Sequence, residues 1–346
     1  MISKLLLVGI PAFILSFVAT VFVKHFALRH DIVDKPGSKR KIHKTSIAKL
    51  GGLSVFVAFF IVLFVSLFTS QDLTAGRITV VHYLGILVGG IILMIGGYVD
   101  DRFDLPPYAS IIAPLLASTS LIVFGIEVEK LTNPFGGIIY LSHLQSSILV
   151  FVWMMVVMYT TKFLDGLDGL ATSVSSVGVF MIMLLSLTVA YYQPDVAIIS
   201  VIALASMIGF LFWNFHPASI FLGEGGSTFV GFLLGTLAVI SGGKLATALL
   251  VLGIPMLDVV WIILRRFKKG GIKQIVKADK KHLHHRLLDL GWGQRQIMFV
   301  YVLVASAFGV ATLFLQSEQK LVALILLGCM MLLSAFILVS REKTYE

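Results

Sequence analysis

Two carboxylates three residues apart, Asp165 and Asp168, sit among glycines in Lys162-Phe163-Leu164-Asp165-Gly166-Leu167-Asp168-Gly169-Leu170, between two long apolar runs. Placed in the first turn of the following helix, both would point to one face beside the positive end of the helix dipole. The glycines would let a phosphate or a metal ion come close to the backbone. The plainer alternative is a cap and turn, for which Asp and Gly are common residues. A second acidic group, Asp100-Asp101-Arg102, ends an earlier apolar run and is followed by Asp104 and Pro106-Pro107. Adjacent carboxylates at an apolar boundary repel unless a cation or a proton is shared. That favours magnesium, which takes oxygen ligands and keeps water and substrate phosphate in its shell, with Mn2+ as the alternative. The alternative to a metal is a solvated turn in which Arg102 neutralises one partner.

Three further segments carry suitable groups. In Leu222-Gly223-Glu224-Gly225-Gly226-Ser227 a carboxylate stands among glycines at a helix start, a plausible phosphate cradle. It lacks the lysine and the spacing of soluble nucleotide-binding loops. Asp258 lies seven residues before Arg265, within an apolar run, and an acid there is a functional candidate or the partner of an Arg or of backbone. In Lys280-Lys281-His282-Leu283-His284-His285-Arg286 the histidine spacing matches no common zinc site, and the only cysteine, Cys329, is in an apolar run. As donors, His282, His284, His285 and Arg286 could hold a sugar diphosphate, or the run could be a solvated basic loop. Near the N-terminus, Lys39, Arg40, His43 and Lys44 suit either anionic lipid headgroups or a phosphate at the membrane surface.

The elements that must position these groups are apolar. Of 346 residues 58% are hydrophobic and 13% charged, which defines an integral membrane protein, all-α and polytopic. Runs of spanning length fall near 5 to 23, 52 to 69, 82 to 99, 108 to 125, 147 to 161, 171 to 191, 195 to 213, 228 to 243, 245 to 264, 296 to 315 and 320 to 340, about eleven helices, with ten as the alternative count. With eleven, one set of loops (24 to 51, 100 to 107, 162 to 170, 214 to 227 and 265 to 295, with the tail) holds 22 Lys and Arg, against 5 in the other. Positive charge gathers on the cytoplasmic side, so every motif above is expected there, with the N-terminus outside and the C-terminus cytoplasmic. The net charge of +9 thus reads as orientation and lipid binding, and no nucleic-acid module is visible. No repeat or linker divides the chain, so residues 1–346 read as a single domain.

The basic loop ending in Gly51-Gly52, Asp100-Asp101, Asp165-Gly166-Leu167-Asp168-Gly169-Leu170, the loop at Glu224, Asp258 and His282-Leu283-His284-His285-Arg286 come in one order. Over nearly the whole chain this set resembles the polyprenyl-phosphate N-acetylhexosamine-1-phosphate transferase family. The His-x-His-His form is similar to the branch that uses UDP-N-acetylglucosamine or related UDP-N-acetylhexosamines. The resemblance implies transfer of a sugar 1-phosphate from the UDP-sugar to polyprenyl phosphate, undecaprenyl phosphate in a bacterium, with release of UMP. This would be the first membrane step of a cell-envelope glycan pathway, at the cytoplasmic face of the cell membrane. It also implies catalytic roles for Asp100, Asp101, Asp165, Asp168 and Asp258, and magnesium held by Glu224 and Asp101. Substrate binding would fall to Lys39, Arg40, His43, Lys44, Lys162, His282, His284, His285 and Arg286. The implied partners are the UDP-N-acetylhexosamine, the polyprenyl phosphate and membrane lipid, with a homodimer left open. Phosphoryl transfer is mainly positioning plus neutralisation of negative charge, which such residues supply.

Four residues depart from the family pattern. Lys162 stands where Asn is usual and Glu224 where Asp is usual, both metal-ligand positions, while Ala48 replaces a Pro and Ser110 a Lys. A protonated Lys cannot ligate magnesium, whereas Glu can from a longer arm. The two changes are therefore expected to be coupled, Lys162 pairing with Glu224 or with the diphosphate and replacing part of the cation's charge. Two other readings stay open: a catalytically silent relative that binds polyprenyl phosphate or nucleotide sugar as a regulator, and a lipid carrier or flippase. Mid-membrane polar residues would favour the carrier, and apart from Asp258 few are present.

Overall fold

With no water in the hydrocarbon core, a spanning backbone must satisfy its own hydrogen bonds, so each long apolar run becomes a helix. The computed structural model describes residues 1–36, 45–133, 136–242, 244–270 and 282–342. The helices are α1 (Ile2–Arg29), α2 (Gly52–Thr69), α3 (Val80–Phe103), α4 (Pro107–Ser110), α5 (Ile112–Val123), α6 (His143–Leu164), α7 (Leu170–Leu187), α8 (Pro194–Asn214), α9 (Gly223–Ile240), α10 (Leu245–Val251), α11 (Gly253–Gly270), α12 (Leu283–Asp289), α13 (Gln294–Phe314) and α14 (Ser317–Glu342). Among the described residues eight are long and apolar enough to cross a membrane, or nine if α10 and α11, bent by 78° at their junction, form one broken span. Each of the eleven predicted runs is helical. The run at 108 to 125 is divided into α4 and α5 around Ile111, shorter than a full crossing.

Two small hairpins interrupt the helices. β1 (Val33–Asp34) pairs antiparallel with β2 (Ile47–Ala48), and β3 (Lys130–Thr132) with β4 (Ile138–Tyr140). Ala48 also bridges to Ile220, and Gly51 and Gly52 donate to the carbonyls of Phe221 and Leu222 at 2.9 Å. The first loop is thereby laced onto the segment that leads into α9.

The core forms around α9, whose residues from Gly225 to Val239 are all buried. Small residues allow that, because helix association in lipid depends on close packing of backbones. A Cβ on Gly97 of α3 would lie 2.1 Å from Gly225 Cα, and one on Gly52 of α2 would lie 2.0 Å from Gly226 Cα. Lower down, Trp153 of α6 donates from Nε1 to the Gly235 carbonyl at 3.0 Å. The outer faces are apolar and exposed, as lipid contact requires: Leu6, Ile10, Ile14, Val18 and Phe22 form one stripe along α1.

Candidate active site

The last turn of α3 carries Asp100 and Asp101, each 8% exposed. The helix stops at Asp104, whose positive φ of 48° closes it with an N–H to the Asp100 carbonyl at 2.8 Å. Asp100 Oδ1 accepts from the Leu105 N–H at 3.0 Å, fixing the turn before the prolines. Asp101 reaches across to α9, where its Oδ2 accepts the Glu224 N–H at 2.9 Å and satisfies one of the unpaired donors of that helix start. The approach needs glycine at position 223, which has φ +77° and lies against Asp101 Oδ2. On the other side Lys49 Nζ stands 3.5 Å from Asp101 Oδ1.

Glu224, in the first turn of α9, turns to the end of α6. Its Oε2 is 2.6 Å from Lys162 Nζ. The ammonium also donates to Ser110 Oγ at 2.9 Å and lies 5.8 Å from the centre of the Tyr159 ring. Asp100, Ser110, Lys162 and Glu224 line one narrow cleft.

The acidic loop is arranged differently from the expected helix start. α7 begins only at Leu170, after Gly169 with φ +70°, so Asp165 and Asp168 precede the helix. Asp165 is the residue that ends α6. Burial first, then the charges of Glu224, Asp101 and Asp168, push its carboxyl well above the ordinary carboxylate range. Among the described residues that carboxyl has no hydrogen-bond partner. Asp168 Oδ2 is held by His216 Nδ1 at 2.6 Å and by the Ala218 N–H at 3.1 Å. Arg295 in turn grips the His216 carbonyl, with Nη2 at 2.9 Å.

The histidine segment packs against the acidic loop. Asp258 Oδ2 pairs with His282 Nδ1 at 2.8 Å and Asp258 Oδ1 accepts the Leu283 N–H at 3.1 Å, so this acid anchors the start of α12. His282 stacks between Phe163 and His284, with ring centres 5.5 and 5.6 Å away. His284 is 2% exposed and its Nε2 has no partner among the described residues. A Cβ on Gly166 would lie 2.6 Å from that Nε2 and 3.3 Å from His285 Nε2, so the histidines rest directly on the acidic loop. Burial first, then its neighbours His285 and His282, hold the His284 imidazole well below its ordinary value. The Arg286 Nε is also buried and has no partner among the described residues.

The structure thus gathers Asp100, Lys162 and Glu224 in one cleft, with Asp101 bound to the Glu224 N–H beside it, while His284 and His285 lie against the loop of Asp165 and Asp168, and Asp258 holds His282. Lys39, Arg40, His43 and Lys44 lie outside the described residues. Lys49, Tyr159 and His216 belong to the arrangement but were not among the candidates. The signals for two of them were slight: Lys49 immediately precedes Leu50-Gly51-Gly52, and His216 precedes Pro217. Beside Asp101 an apolar cavity of about 260 Å³, lined by Phe26, Leu53, Met94, Ile95 and Tyr98, opens toward the lipid-facing side of α3.

The two expected ligands, Glu224 and Asp101, do not fit a shared divalent cation as they stand, and among the described residues no three His, Cys, Asp or Glu side chains converge on one point. Glu224 Oε2 is taken by Lys162, and both Asp101 oxygens are engaged.

A polytopic helical membrane protein whose acids, lysine and histidines meet at one end of the bundle is built to handle phosphorylated substrates at a membrane boundary. Residues 83–242 match the model of glycosyl transferase family 4. The chain is 31% identical over 342 residues to a decaprenyl-phosphate N-acetylglucosaminephosphotransferase of Mycobacterium tuberculosis, covering 90% of this chain and 83% of the relative. It is 29% identical over 319 residues to a probable undecaprenyl-phosphate N-acetylglucosaminyl 1-phosphate transferase of Bacillus subtilis, covering 89% and 85%. A putative UDP-N-acetylglucosamine–dolichyl-phosphate N-acetylglucosaminephosphotransferase of Sulfolobus acidocaldarius is 26% identical over 281 residues, covering 81% and 83%. The chain belongs to glycosyl transferase family 4.

Proposed function

We propose that the chain transfers N-acetylglucosamine 1-phosphate from UDP-N-acetylglucosamine to a polyprenyl phosphate and releases UMP, at the cytoplasmic face of the cell membrane. The observation that carries this is the pairing of Glu224 with Lys162 at the end of α6, with His284 packed on the acidic loop that follows it, residues drawn from segments far apart in the chain. The names of the relatives support the same substrates, and the excess of Lys and Arg in this set of loops supports the cytoplasmic side.

The acceptor's phosphate oxygen attacks the sugar-linked phosphorus of the donor. A new P–O bond forms as the bond to the UMP phosphate oxygen breaks, and UMP leaves with that oxygen. The Lys162 ammonium and the positive end of α9 face the diphosphate and offset charge that develops on it. Asp165, whose carboxyl has no hydrogen-bond partner among the described residues, takes the proton of a monoanionic acceptor. Asp101 is a positioning residue that docks Lys49 and the start of α9. His284 and His285 meet the donor from the opposite wall. The apolar cavity beside Asp101 receives the first isoprene units, with Lys49 toward the phosphate.

The test is a donor panel of UDP-N-acetylglucosamine, UDP-N-acetylgalactosamine and UDP-N-acetylmuramoyl-pentapeptide. Each is offered with undecaprenyl phosphate to the purified protein in detergent. UMP release with the first donor, dependent on the lipid, is expected. Absence of lipid-dependent UMP release with all three would leave only a binding role.

A further inference from the structure

Lys162 is not an ordinary surface cation. Its side chain is 19% exposed, and the Nζ sits between Glu224 Oε2 at 2.6 Å and Ser110 Oγ at 2.9 Å, in the cleft that Asp100 also lines. An ammonium has three donors, so with those two partners among the described residues one N–H remains for a ligand. The reaction proposed above brings a diphosphate and a phosphate monoester to a cleft lined by Asp100 and Glu224, with Asp101 bound to the Glu224 N–H beside it. Such a site needs positive charge at its centre. A magnesium ion bonds oxygen at about 2.0–2.1 Å. With Glu224 Oε2 holding the ammonium, a divalent ion on this carboxylate would have to use Oε1 and stand beside a cation already in place. Asp101 offers no easy substitute, because its oxygens already meet the Glu224 N–H at 2.9 Å and Lys49 at 3.5 Å.

We infer that Lys162 is the fixed cation of this site: its ammonium, clamped by Glu224 and Ser110, binds the donor diphosphate in the place where a divalent ion would otherwise sit on Glu224. The assignment rests on the transferase reading. Glu224 is then an anchor for an ammonium and not a metal ligand. What matters is an ammonium at that point, whichever residue carries it. Position 110, whose hydroxyl touches the ammonium, can supply it instead.

The experiment has a binding arm and a turnover arm on the full-length protein in detergent. Free Mn2+ is titrated by electron paramagnetic resonance into wild type, Glu224→Gln and Lys162→Asn. Mn2+ affinity is expected to be unchanged, within about twofold, by Glu224→Gln. Lys162→Asn is expected to tighten it by about tenfold or more, a change removed again in the Lys162→Asn, Glu224→Gln double variant. In the turnover arm Lys162→Ser should lower kcat roughly 100-fold, the scale of losing one well-placed electrostatic contact to the transition state. Ser110→Lys with Lys162→Ser should recover most of that loss, which a merely structural lysine would not allow. Loss of wild-type Mn2+ binding on Glu224→Gln overturns the assignment, as does a swap variant no more active than Lys162→Ser. Failure of the wild type to release UMP from any donor overturns the transferase reading alone, and the Mn2+ titrations still decide the cation.

Discussion

Replacing Gly97 by Ala tests whether the α3–α9 backbone contact is what sets the acid cluster. The added Cβ would lie 2.1 Å from Gly225 Cα, 2.2 Å from Gly225 N and 3.2 Å from the Glu224 carbonyl carbon. All three are backbone atoms, so no side chain can swing aside. Carbon atoms rest about 3.5–4.0 Å apart, and the helices must therefore separate by more than about 1 Å. Overpacking of this kind costs about 1–3 kcal/mol. The Asp101–Glu224 hydrogen bond of 2.9 Å lies one helical turn further on and is pulled open. A misplacement of about 1 Å at a reacting centre can lower turnover on the order of 100-fold. The assay is UMP release from UDP-N-acetylglucosamine with undecaprenyl phosphate, read beside the thermal melt in detergent. Gly328→Ala is the control, because a Cβ there meets nothing within 4 Å, and alanine is the better helix former by up to about 1 kcal/mol. If Gly97→Ala melts with the wild type and keeps turnover within about threefold, the α3–α9 contact does not position the site, and the reasoning from close backbone approach is wrong.

Asp165→Asn should raise the melting temperature at neutral pH while abolishing most turnover, because the folded carboxyl is pushed well above its ordinary value of 3.8. The stability linked to that proton is fully present below 3.8 and is lost as pH rises toward the folded value, so the variant's advantage should grow with pH. His284 behaves in the opposite sense: its folded value lies well below 6.5, so stability is present above 6.5 and is lost as pH falls below it. Melts of His284→Gln between neutral and mildly acid pH should show a shallower acid loss than wild type, and equal slopes would refute the link. Asp258→Ala leaves the buried Leu283 N–H and His282 without their acceptor. It should cost about 1–3 kcal/mol and raise KM for the donor more than it lowers kcat, as donor titrations would report.

Much of this arrangement was legible from pattern alone, and the misses share a cause. Apolar runs gave helices because the bilayer permits little else, and α2 begins and ends where the run from 52 to 69 does. The pairing of Lys162 with Glu224 was foreseen because two departures of opposite charge, in segments expected to share a site, are complementary. Hydropathy could not show that the run from 245 to 264 bends by 78°, since a window average carries no direction. Nor did it show that the run from 108 to 125 breaks at Ile111. For Asp165 and Asp168 the sequence leaves open the first turn of α7 or a turn before it, and the structure has the turn. The backbone at Gly169, with φ +70°, begins the helix later, and only a fixed φ separates those outcomes. Contacts such as Lys49 with Asp101 and His216 with Asp168 depend on how loops are laced together, which spacing within one segment does not encode.

At its N-terminal end the axial helix α9 meets α2 and α3 main chain to main chain, and this restricts where the protein can change. An enlargement at Gly225 or Gly226 strikes a backbone that has nowhere to retreat. Room for a bulkier sugar or a longer prenyl tail therefore has to be found at the rim, in the connecting loops and the lipid-facing edge, and not along that seam.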